Sequence, residues 1–414
     1  MNRIIQKEPT ERHGKFKTGF NRWTVALASA GLVSIGSVVQ AEETPHQVLT
    51  ALSSTTLSGY VNTSAIWKLG TGTQLVGRAF DGTAKQDGIN LDVVKLSLEK
   101  PLDEAEWAAG YKVDLLFGPD AVAYNNTVGI AATDFSFKQA YVVLRAPVGN
   151  GIDFKIGTFD TCIGYEVFDG PANPNYSRSY GYTLEPLAHT GVMASYQVCS
   201  GFSLSAGVAN TWITGVNARP LRAAGVAADE SEKTYMGLMS LTAPESFGFL
   251  KGAVLSAGIV DGINNPGASD TTSYYVGATM PTPWESLSWG ASYDYRGTKA
   301  DAANSTYANA VALYTTYQAT EKLKFNSRVE YATGTTGTWI IAPAAPTASK
   351  AGDGEAFLGY TLTADYSLWG PNVMTRAEFR WDHDLKGRNG AAVHPFGVND
   401  KNAMSLALNV VYKF

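Results

Sequence analysis

Residues 403–414 read Ala-Met-Ser-Leu-Ala-Leu-Asn-Val-Val-Tyr-Lys-Phe, and every second side chain from Met404 to Phe414 is apolar. Small or polar residues such as Asn409 and Lys413 occupy most of the alternate positions. Successive side chains of a β-strand point to opposite faces, so this pattern predicts a strand with one apolar and one polar face. We expect lipid on the apolar side and water on the polar side.

The same period of two recurs along the chain from residue 55, and the gaps between alternating segments fall into two length classes that alternate. Short turns are expected at residues 101–106, 147–151, 199–201, 244–248, 281–285, 320–322 and 368–372. Long loops are expected near residues 69–87, 118–134, 160–187, 214–232, 261–271, 298–306, 334–354 and 384–402. This pattern predicts an all-β, transmembrane antiparallel β-barrel of about 16 strands, with short periplasmic turns and long extracellular loops.

A soluble β-sandwich is the alternative, because its strands also alternate apolar and polar residues around a packed core. The segments run to about 10 residues or more, which is longer than usual in soluble sheets. No run of about 20 apolar residues follows residue 41, so a helical membrane protein is excluded. Aromatic residues concentrate towards the segment ends, as the girdles of a membrane barrel require; these are Trp107, Phe117, Trp212, Tyr293, Tyr295, Tyr331, Trp381 and Tyr412.

Residues 1–41 have the pattern of a secretory signal peptide, with a basic region, an apolar stretch from Trp23 to Val39 and small residues before the expected cleavage site. A retained membrane anchor is the alternative. Residues 42–54 are expected to form a short periplasmic segment and residues 55–414 the barrel. Loss of the first segment removes six basic and two acidic side chains, so the formal charge changes from −5 to −9. No polybasic patch remains, and nucleic acid is not an expected partner.

The third long loop and the segments beside it hold the most distinctive stretch of the chain. It contains Gly157-Thr158-Phe159, Ile163-Gly164-Tyr165-Glu166, Asn173-Pro174-Asn175-Tyr176-Ser177-Arg178-Ser179, then Pro186 and His189-Thr190-Gly191-Val192. These residues resemble the putative β-barrel porin-2 family, the OmpL-like group of bacterial outer-membrane proteins. The resemblance implies a porin in outer-membrane lipid that lets small hydrophilic solutes or ions diffuse through a water-filled barrel, without chemistry and without a cofactor.

Two further expectations rest on likeness to outer-membrane barrels in general. Terminal Phe414 resembles the signal that the barrel-assembly machinery reads, so that machinery is an expected partner. General porins are often trimers, so a homotrimer is expected by analogy.

By position, the third loop resembles the loop that folds into the lumen of general porins and narrows the channel. It offers Glu166, Asp169 and Glu185 as acids. Basic residues project inward from two nearby strands and are interleaved with acids; the set is Lys324, Arg328, Glu330, Arg376, Glu378, Arg380 and Asp382. One hypothesis is a constriction in which loop acids face this basic ladder and create a transverse field that orients polar solutes.

The alternative is that these charges pair with neighbours across strands and stabilise a solvated wall. Arg178 could likewise be a strut that ties the loop to the wall rather than a solute contact. Both versions place all these residues on the lumen side of the barrel.

Two other functions remain open at this point. One is a plugged or ligand-specific barrel that acts as an adhesin, scaffold or dedicated transporter. The other is an outer-membrane hydrolase, for which His189 would need a serine and an acid within hydrogen-bond reach. His189 points inward by parity and is expected to be a structural partner of the third loop, while Asp382-His383-Asp384 is expected to form a solvated rim.

The remaining chemistry-bearing residues are few. Cys162 and Cys199 are expected to lie too far apart for a disulfide. No zinc spacing, haem motif or nucleophile elbow is present, so the sequence indicates neither a metal site nor an enzyme.

Overall fold

The computed structural model describes residues 55–70, 79–124, 133–212, 215–223, 226–227, 232–263, 269–299, 305–335, 339, 354–386, 393–394, 396–398 and 400–414. The expected signal peptide and the periplasmic segment 42–54 lie outside the described residues. Within the described part, no helix is long and apolar enough to cross a membrane.

The described residues form twenty strands and few helical turns. The strands are β1 Thr56–Leu69, β2 Gly88–Lys100, β3 Ala109–Phe117, β4 Phe135–Ala146, β5 Ile152–Asp160, β6 Ala188–Cys199, β7 Phe202–Ala209, β8 Leu221–Ala223, β9 Val226–Ala227, β10 Thr234–Thr242, β11 Val254–Ile263, β12 Asp270–Pro281, β13 Leu287–Lys299, β14 Ser305–Gln318, β15 Leu323–Gly334, β16 Glu355–Tyr366, β17 Val373–Asp384, β18 Val393–His394, β19 Gly397–Val398 and β20 Asn402–Lys413. Helix α1 is Tyr180–Leu184, and 3₁₀ turns occupy Thr83–Lys85, Pro119–Tyr124, Gly170–Ala172 and Glu245–Leu250.

Sixteen of these strands close into one antiparallel barrel, in chain order, and the ring is completed where β1 pairs with β20. In this seam Val61 lies opposite Tyr412. The two remaining pairs, β8 with β9 and β18 with β19, are small hairpins within outer loops. The closed antiparallel barrel and its expected strand number are therefore confirmed.

The last barrel strand has the two faces that its sequence predicts. Leu408 and Tyr412 are each 51% exposed, whereas Asn409 is 2% exposed and lies inside the ring. The Asn409 amide donates to Asn62 Oδ1 of β1 and to the Thr63 carbonyl at 2.8 Å. Polar side chains on the inner face thus make the wall hydrophilic, and they also form hydrogen bonds across the seam.

Connection lengths agree with the predicted alternation of short inner turns and long outer loops, with one local exception. The inner turn 243–253 is longer than the two outer loops that follow it in the chain, 264–269 and 300–304. It keeps its strands together because Ala243 N donates to the Ala253 carbonyl at 2.8 Å while the 3₁₀ turn extends between them. Phe247 and Phe249 on this turn are exposed.

One predicted girdle residue is not at the lipid interface. Trp212 follows β7 and turns into the barrel, where it is 4% exposed and donates from Nε1 to Ser273 Oγ at 3.2 Å. Its backbone N–H is bound by the Ile263 carbonyl at 2.9 Å, which bends the chain inward. The assignment of Trp212 to the aromatic girdle was therefore wrong, because the strand ends before this residue.

Candidate functional site in the lumen

The connection between β5 and β6, residues 161–187, is here called the lumen loop. Its two ends are joined by a hydrogen bond from Thr161 N to the Leu187 carbonyl at 3.0 Å. It contains α1, whose first turn is capped by Ser179 Oγ, which accepts from Tyr182 N at 3.1 Å. A loop with a closed base and an internal capped turn behaves as a small folded unit.

The first part of the lumen loop packs on an apolar section of the wall. Cys162 and Ile163 belong to a buried cluster with Met193, Trp212 and Leu238. Just beyond them, Tyr165 stacks on Tyr314 of β14, with ring centroids 4.2 Å apart. This end of the loop is therefore held by apolar burial and ring stacking.

Glu166 connects the lumen loop to the wall and to itself. Its Oε1 accepts from Arg328 Nη1 at 2.8 Å, and its Oε2 accepts from Ser179 N at 2.8 Å. Arg328 also donates from Nε to Glu330 at 2.7 Å and from Nη1 to the Ser177 carbonyl at 2.8 Å. Arg328 is fully buried, so each of these bonds replaces water that the guanidinium has lost.

Arg380 and Glu378 of β17 hold the middle of the loop through its backbone. Arg380 Nη1 donates to the Arg178 carbonyl at 2.6 Å, and Asp382 accepts from Arg380 Nη2 at 2.9 Å. The Glu378 carboxylate accepts from Tyr176 N at 2.6 Å. It also accepts from the next backbone N–H, that of Ser177, at 3.0 Å.

Arg376, at the start of the same strand face, grips an earlier part of the loop. It donates to the carbonyls of Gly170 at 2.8 Å and Asn173 at 2.6 Å, and its ion-pair partner is Asp365 at 3.3 Å. Charged side chains of the wall thus bind backbone groups of the loop that have no partner in a helix or a strand.

Arg178 is an internal strut of the loop. It donates to the Tyr176 carbonyl at 2.8 Å and to the Phe168 carbonyl at 2.6 Å, and its guanidinium lies over the rings of Phe80 and Tyr182. It is 5% exposed. Its side chain contacts the lumen loop itself and Phe80 of an outer loop, so it is neither in open water nor the tie to the barrel wall that the strut hypothesis placed here.

Asp169 ties the loop to the opposite wall. Its Oδ1 accepts from Tyr60 at 3.0 Å and from Lys95 at 2.9 Å, and Lys138 lies 3.2 Å from Oδ2. Burial alone raises the pKa of Asp169, but the ammonium groups of Lys138 and Lys95 outweigh it and hold the pKa well below its ordinary value. Asp169 is therefore a carboxylate in the docked loop at every pH near neutrality.

Glu185 meets the third side of the wall at Asp294 of β13, to which it is hydrogen-bonded. Burial, followed by repulsion from Asp294 and Glu166, raises the pKa of Glu185 well above its ordinary value. Gly164 has φ +121°, and a Cβ at this position would lie 2.2 Å from Glu185 Oε2. The glycine therefore makes the room in which this carboxyl pair sits.

We expect the docking of the lumen loop to depend on pH through Glu185. A carboxyl whose pKa is raised on docking stabilises the docked state most when the pH is below the ordinary pKa of the group, 4.5. That contribution is lost as the pH rises from 4.5 through the raised pKa. Wild-type conductance should therefore be lower at pH 5 than at pH 8. Glu185→Gln keeps a hydrogen-bonding side chain without the charge and should remove most of this difference.

The matched control for that experiment is Glu104→Gln, which neutralises an exposed carboxylate on the inner turn after β2. Its conductance should keep the wild-type dependence on pH in planar bilayers. Equal pH dependence in wild type and Glu185→Gln would contradict the assignment.

The structure brings together all but one of the residues that the sequence suggested for this site. Lys324 alone makes no contact with the lumen loop; it is partly exposed and its carboxylate partner is Asp365 at 3.5 Å. Of the three loop acids, only Glu166 meets the predicted basic ladder, and it does so in direct contact with Arg328 and not across a water-filled gap. Asp169 is bound instead by Lys95 and Lys138, and Glu185 faces Asp294. Asp382 is 2% exposed, so its expected place on a solvated rim was wrong.

Several residues of the site were not singled out from the sequence, chiefly Tyr60, Lys95, Lys138 and Asp294. Lys138 is adjacent to Gln139, yet both are buried inside the barrel. The register of β3 against β4 shifts opposite this point, between Asp114 and Leu115. A bulge of this kind breaks the period of two and hides an inward lysine from a parity argument.

His189 has no catalytic surroundings among the described residues. It is fully buried, with Nδ1 3.3 Å from the Thr211 carbonyl and Nε2 3.2 Å from Thr161 Oγ1. It therefore supports the base of the lumen loop, as expected. Cys162 and Cys199 are both free thiols in the described structure.

The family to which the chain belongs follows from its sequence. The profile of the putative beta-barrel porin-2, OmpL-like family matches residues 54–414. The chain is a member of that family. It is an outer-membrane porin, and the predicted location in the bacterial outer membrane is confirmed.

Solved structures resemble this porin in fold. The outer membrane channel DcaP of Acinetobacter baumannii has a TM-score of 0.56 at 12% identity, over 87% of this chain and 97% of that one. The anion-selective porin from Comamonas acidovorans has a TM-score of 0.54 at 14% identity, over 87% and 99%. OmpT of Vibrio cholerae, in its trimer form, has a TM-score of 0.53 at 15% identity, over 87% and 99%. No curated protein sequence matches this porin.

Proposed function

We propose that this porin passes small hydrophilic solutes and ions by passive diffusion, without catalysing a reaction and without a cofactor. The observation that carries this proposal is the lumen loop, which crosses a closed barrel of sixteen strands and is bound to its polar inner wall. A barrel of this strand number is wide enough to enclose an aqueous channel, and an immobilised loop inside it sets the size of what passes.

In this proposal the predicted site residues act mainly by fixing the constriction. Glu166, Arg328 and Arg380 are at most 4% exposed, so their part is to hold the loop against the wall, whereas Arg178, 5% exposed, stabilises the loop from within. Lys324 and Asp169 are the more exposed members, with side chains 21% and 17% exposed. These two are the proposed contacts for passing ions.

A second candidate is a barrel that the lumen loop plugs. It is favoured by the contacts of the loop on three sides, with Ile163 in the cluster beside β6, Asp169 bound to Tyr60 and Lys95, and Glu166 bound to β15. A loop held on every side leaves little space beside it. Such a protein would act as a scaffold, an adhesin or a dedicated transporter that opens for one ligand.

Single-channel recording of the refolded mature chain in planar bilayers separates the two. Stable open channels with a small conductance, and a reversal potential set by the salt gradient, are expected for a diffusion porin. Correctly folded, heat-modifiable barrels that never conduct would support the plugged barrel and contradict passive diffusion.

Two partners belong to this proposal. Phe414 pairs with Gly59 of β1 through hydrogen bonds of 3.0 and 2.9 Å, and we propose that it also serves as the assembly signal. A homotrimer is proposed because the similar OmpT of Vibrio cholerae has a trimer form. Cross-linking of the protein in native membranes tests the trimer directly.

A further inference from the structure

The barrel has a polar cavity at its inner mouth, separate from the lumen loop. It encloses about 840 Å³ between the turns that follow β2 and β4 and the inner ends of β2 to β6. This volume is within the range of small-molecule sites, which is about 300–1,000 Å³. Its floor contains Tyr141, Lys155 and Ser195.

The charged side chains that point inward from the strands lining this cavity are paired, with one exception. Lys112 Nζ lies 2.9 Å from Glu99 Oε2, and Arg145 binds Asp153 through two hydrogen bonds of 2.7 and 2.8 Å. Within the described residues, Lys155 has no carboxylate partner; its Nζ lies 4.8 Å from the centroid of the Tyr141 ring. A cation without a carboxylate partner in a polar cavity is the group to which an anion would bind.

Two other side chains with hydroxyl groups, Tyr141 and Ser195, line the cavity together with Lys155. Ser195 Oγ is 3.0 Å from Ser205 Oγ, so it can accept from that hydroxyl and donate its own proton into the cavity. The Tyr141 ring and Val143 supply an apolar surface beside these donors.

Asp160 and Glu99 are near enough to attract the Lys155 ammonium, but each is bound to another lysine, Asp160 to Lys138 and Glu99 to Lys112. Asp103, Glu104 and Glu106 lie on the turn after β2 and are exposed to solvent at the rim. Salt screens exposed charges over about 8 Å at physiological ionic strength, whereas a cation on the wall of a cavity is screened less. The floor is therefore basic although the rim is acidic.

We propose that this inner cavity binds a small organic carboxylate, with its carboxylate on Lys155 and Ser195 and its apolar body on Tyr141. The site lies among strands β2 to β6 on the periplasmic side, and it does not require solutes to cross the lumen loop. It adds a binding step at the inner mouth to the diffusion proposed above, and it stands whether or not the channel conducts.

The test is equilibrium dialysis of the detergent-solubilised porin with radiolabelled benzoate, and with benzyl alcohol, which has the same ring but no charge. Lys155→Met removes the ammonium and keeps an unbranched chain over Tyr141. Lys322→Met makes the same charge change on an exposed inner turn outside the cavity and is the matched control. Empty micelles give the background, and heat-modifiable mobility shows that each variant is folded.

We expect saturable benzoate binding to wild type and to Lys322→Met, and binding roughly tenfold or more weaker to Lys155→Met, because a charge-assisted hydrogen bond is lost. Equal binding to all three proteins overturns the proposal. Equal binding of benzoate and benzyl alcohol to wild type also overturns it, and this comparison needs no variant. Benzoate binding by a barrel that does not conduct would leave this site standing and contradict passive diffusion instead.

Discussion

Replacing Arg328 with alanine should release the lumen loop and increase single-channel conductance. The variant leaves Glu166 and Glu330 as carboxylates in a site that excludes water, without the guanidinium that both contact at 2.7–2.8 Å. Removing one partner of a buried charge pair costs about 3–5 kcal/mol, which changes the docking equilibrium by roughly a hundredfold to several thousandfold. The strand ladder of the barrel does not depend on this residue, so the ring should remain closed.

Lys324→Ala is the matched control for this variant. Lys324 is on the same strand and the same face, and its loss changes the charge by the same amount, but it contacts only Asp365. Both variants should shift the reversal potential towards cations, and only Arg328→Ala should also raise conductance in planar bilayers. Unchanged conductance in Arg328→Ala would show that Arg328 does not hold the loop.

Replacing Asp169 with alanine should also open the channel, but with the opposite change in ion preference. The variant removes the common acceptor of Tyr60, Lys95 and Lys138. The two lysines keep other partners, Asp114 at 3.2 Å and Asp160, so the cost is smaller, about 1–3 kcal/mol. Because a negative charge is lost in the lumen, the reversal potential should move towards anions.

Asp153→Ala provides the control for Asp169→Ala. Asp153 is bound to Arg145 at the inner mouth and does not contact the lumen loop. It should shift selectivity in the same direction as Asp169→Ala while leaving conductance near the wild-type value. If Asp153→Ala opened the channel as much as Asp169→Ala, charge in the vestibule and not loop docking would explain both.

The two loop acids respond differently to mild acid, and only Glu185 changes the docking of the loop between pH 8 and pH 5. The pKa of Asp169 is held low, so its contribution to docking is present above its ordinary pKa of 3.8 and is lost only below it. The pKa of Glu185 is raised, so its contribution grows as the pH falls towards 4.5. Between pH 8 and pH 5 the loop should therefore become more firmly docked.

The barrel itself could be predicted because each strand carries its own pattern. The alternation of Leu406, Leu408 and Val410 with polar neighbours requires no knowledge of which strand lies beside it. The alternating lengths of the connections then set the strand number and the side on which each loop lies. Both are local properties of the chain.

The closed contacts of the lumen loop could not be predicted in the same way. Parity places Arg328 and Arg380 inside the barrel, but it does not say whether the loop acids reach them or face them across water. Contact between Glu166 and Arg328 joins residues 162 positions apart and depends on the path of the whole loop. Lys138 was missed because a bulge changes the parity of its strand, and Trp212 was misplaced because β7 ends at Ala209.

The position of the lumen loop in the chain has a consequence for assembly. The loop comes after five of the barrel strands, whereas the groups that bind its centre come from β15 and β17, and Glu378 is 202 residues away from Tyr176. Contacts so distant in sequence form slowly, because much of the chain must be ordered first. Until β17 is in place, the loop backbone and the arginines that will bind it remain hydrated and separate. Docking of the loop and pairing of β1 with β20 should therefore be late steps that occur close together, and an incompletely assembled barrel should lack both its seam and its constriction.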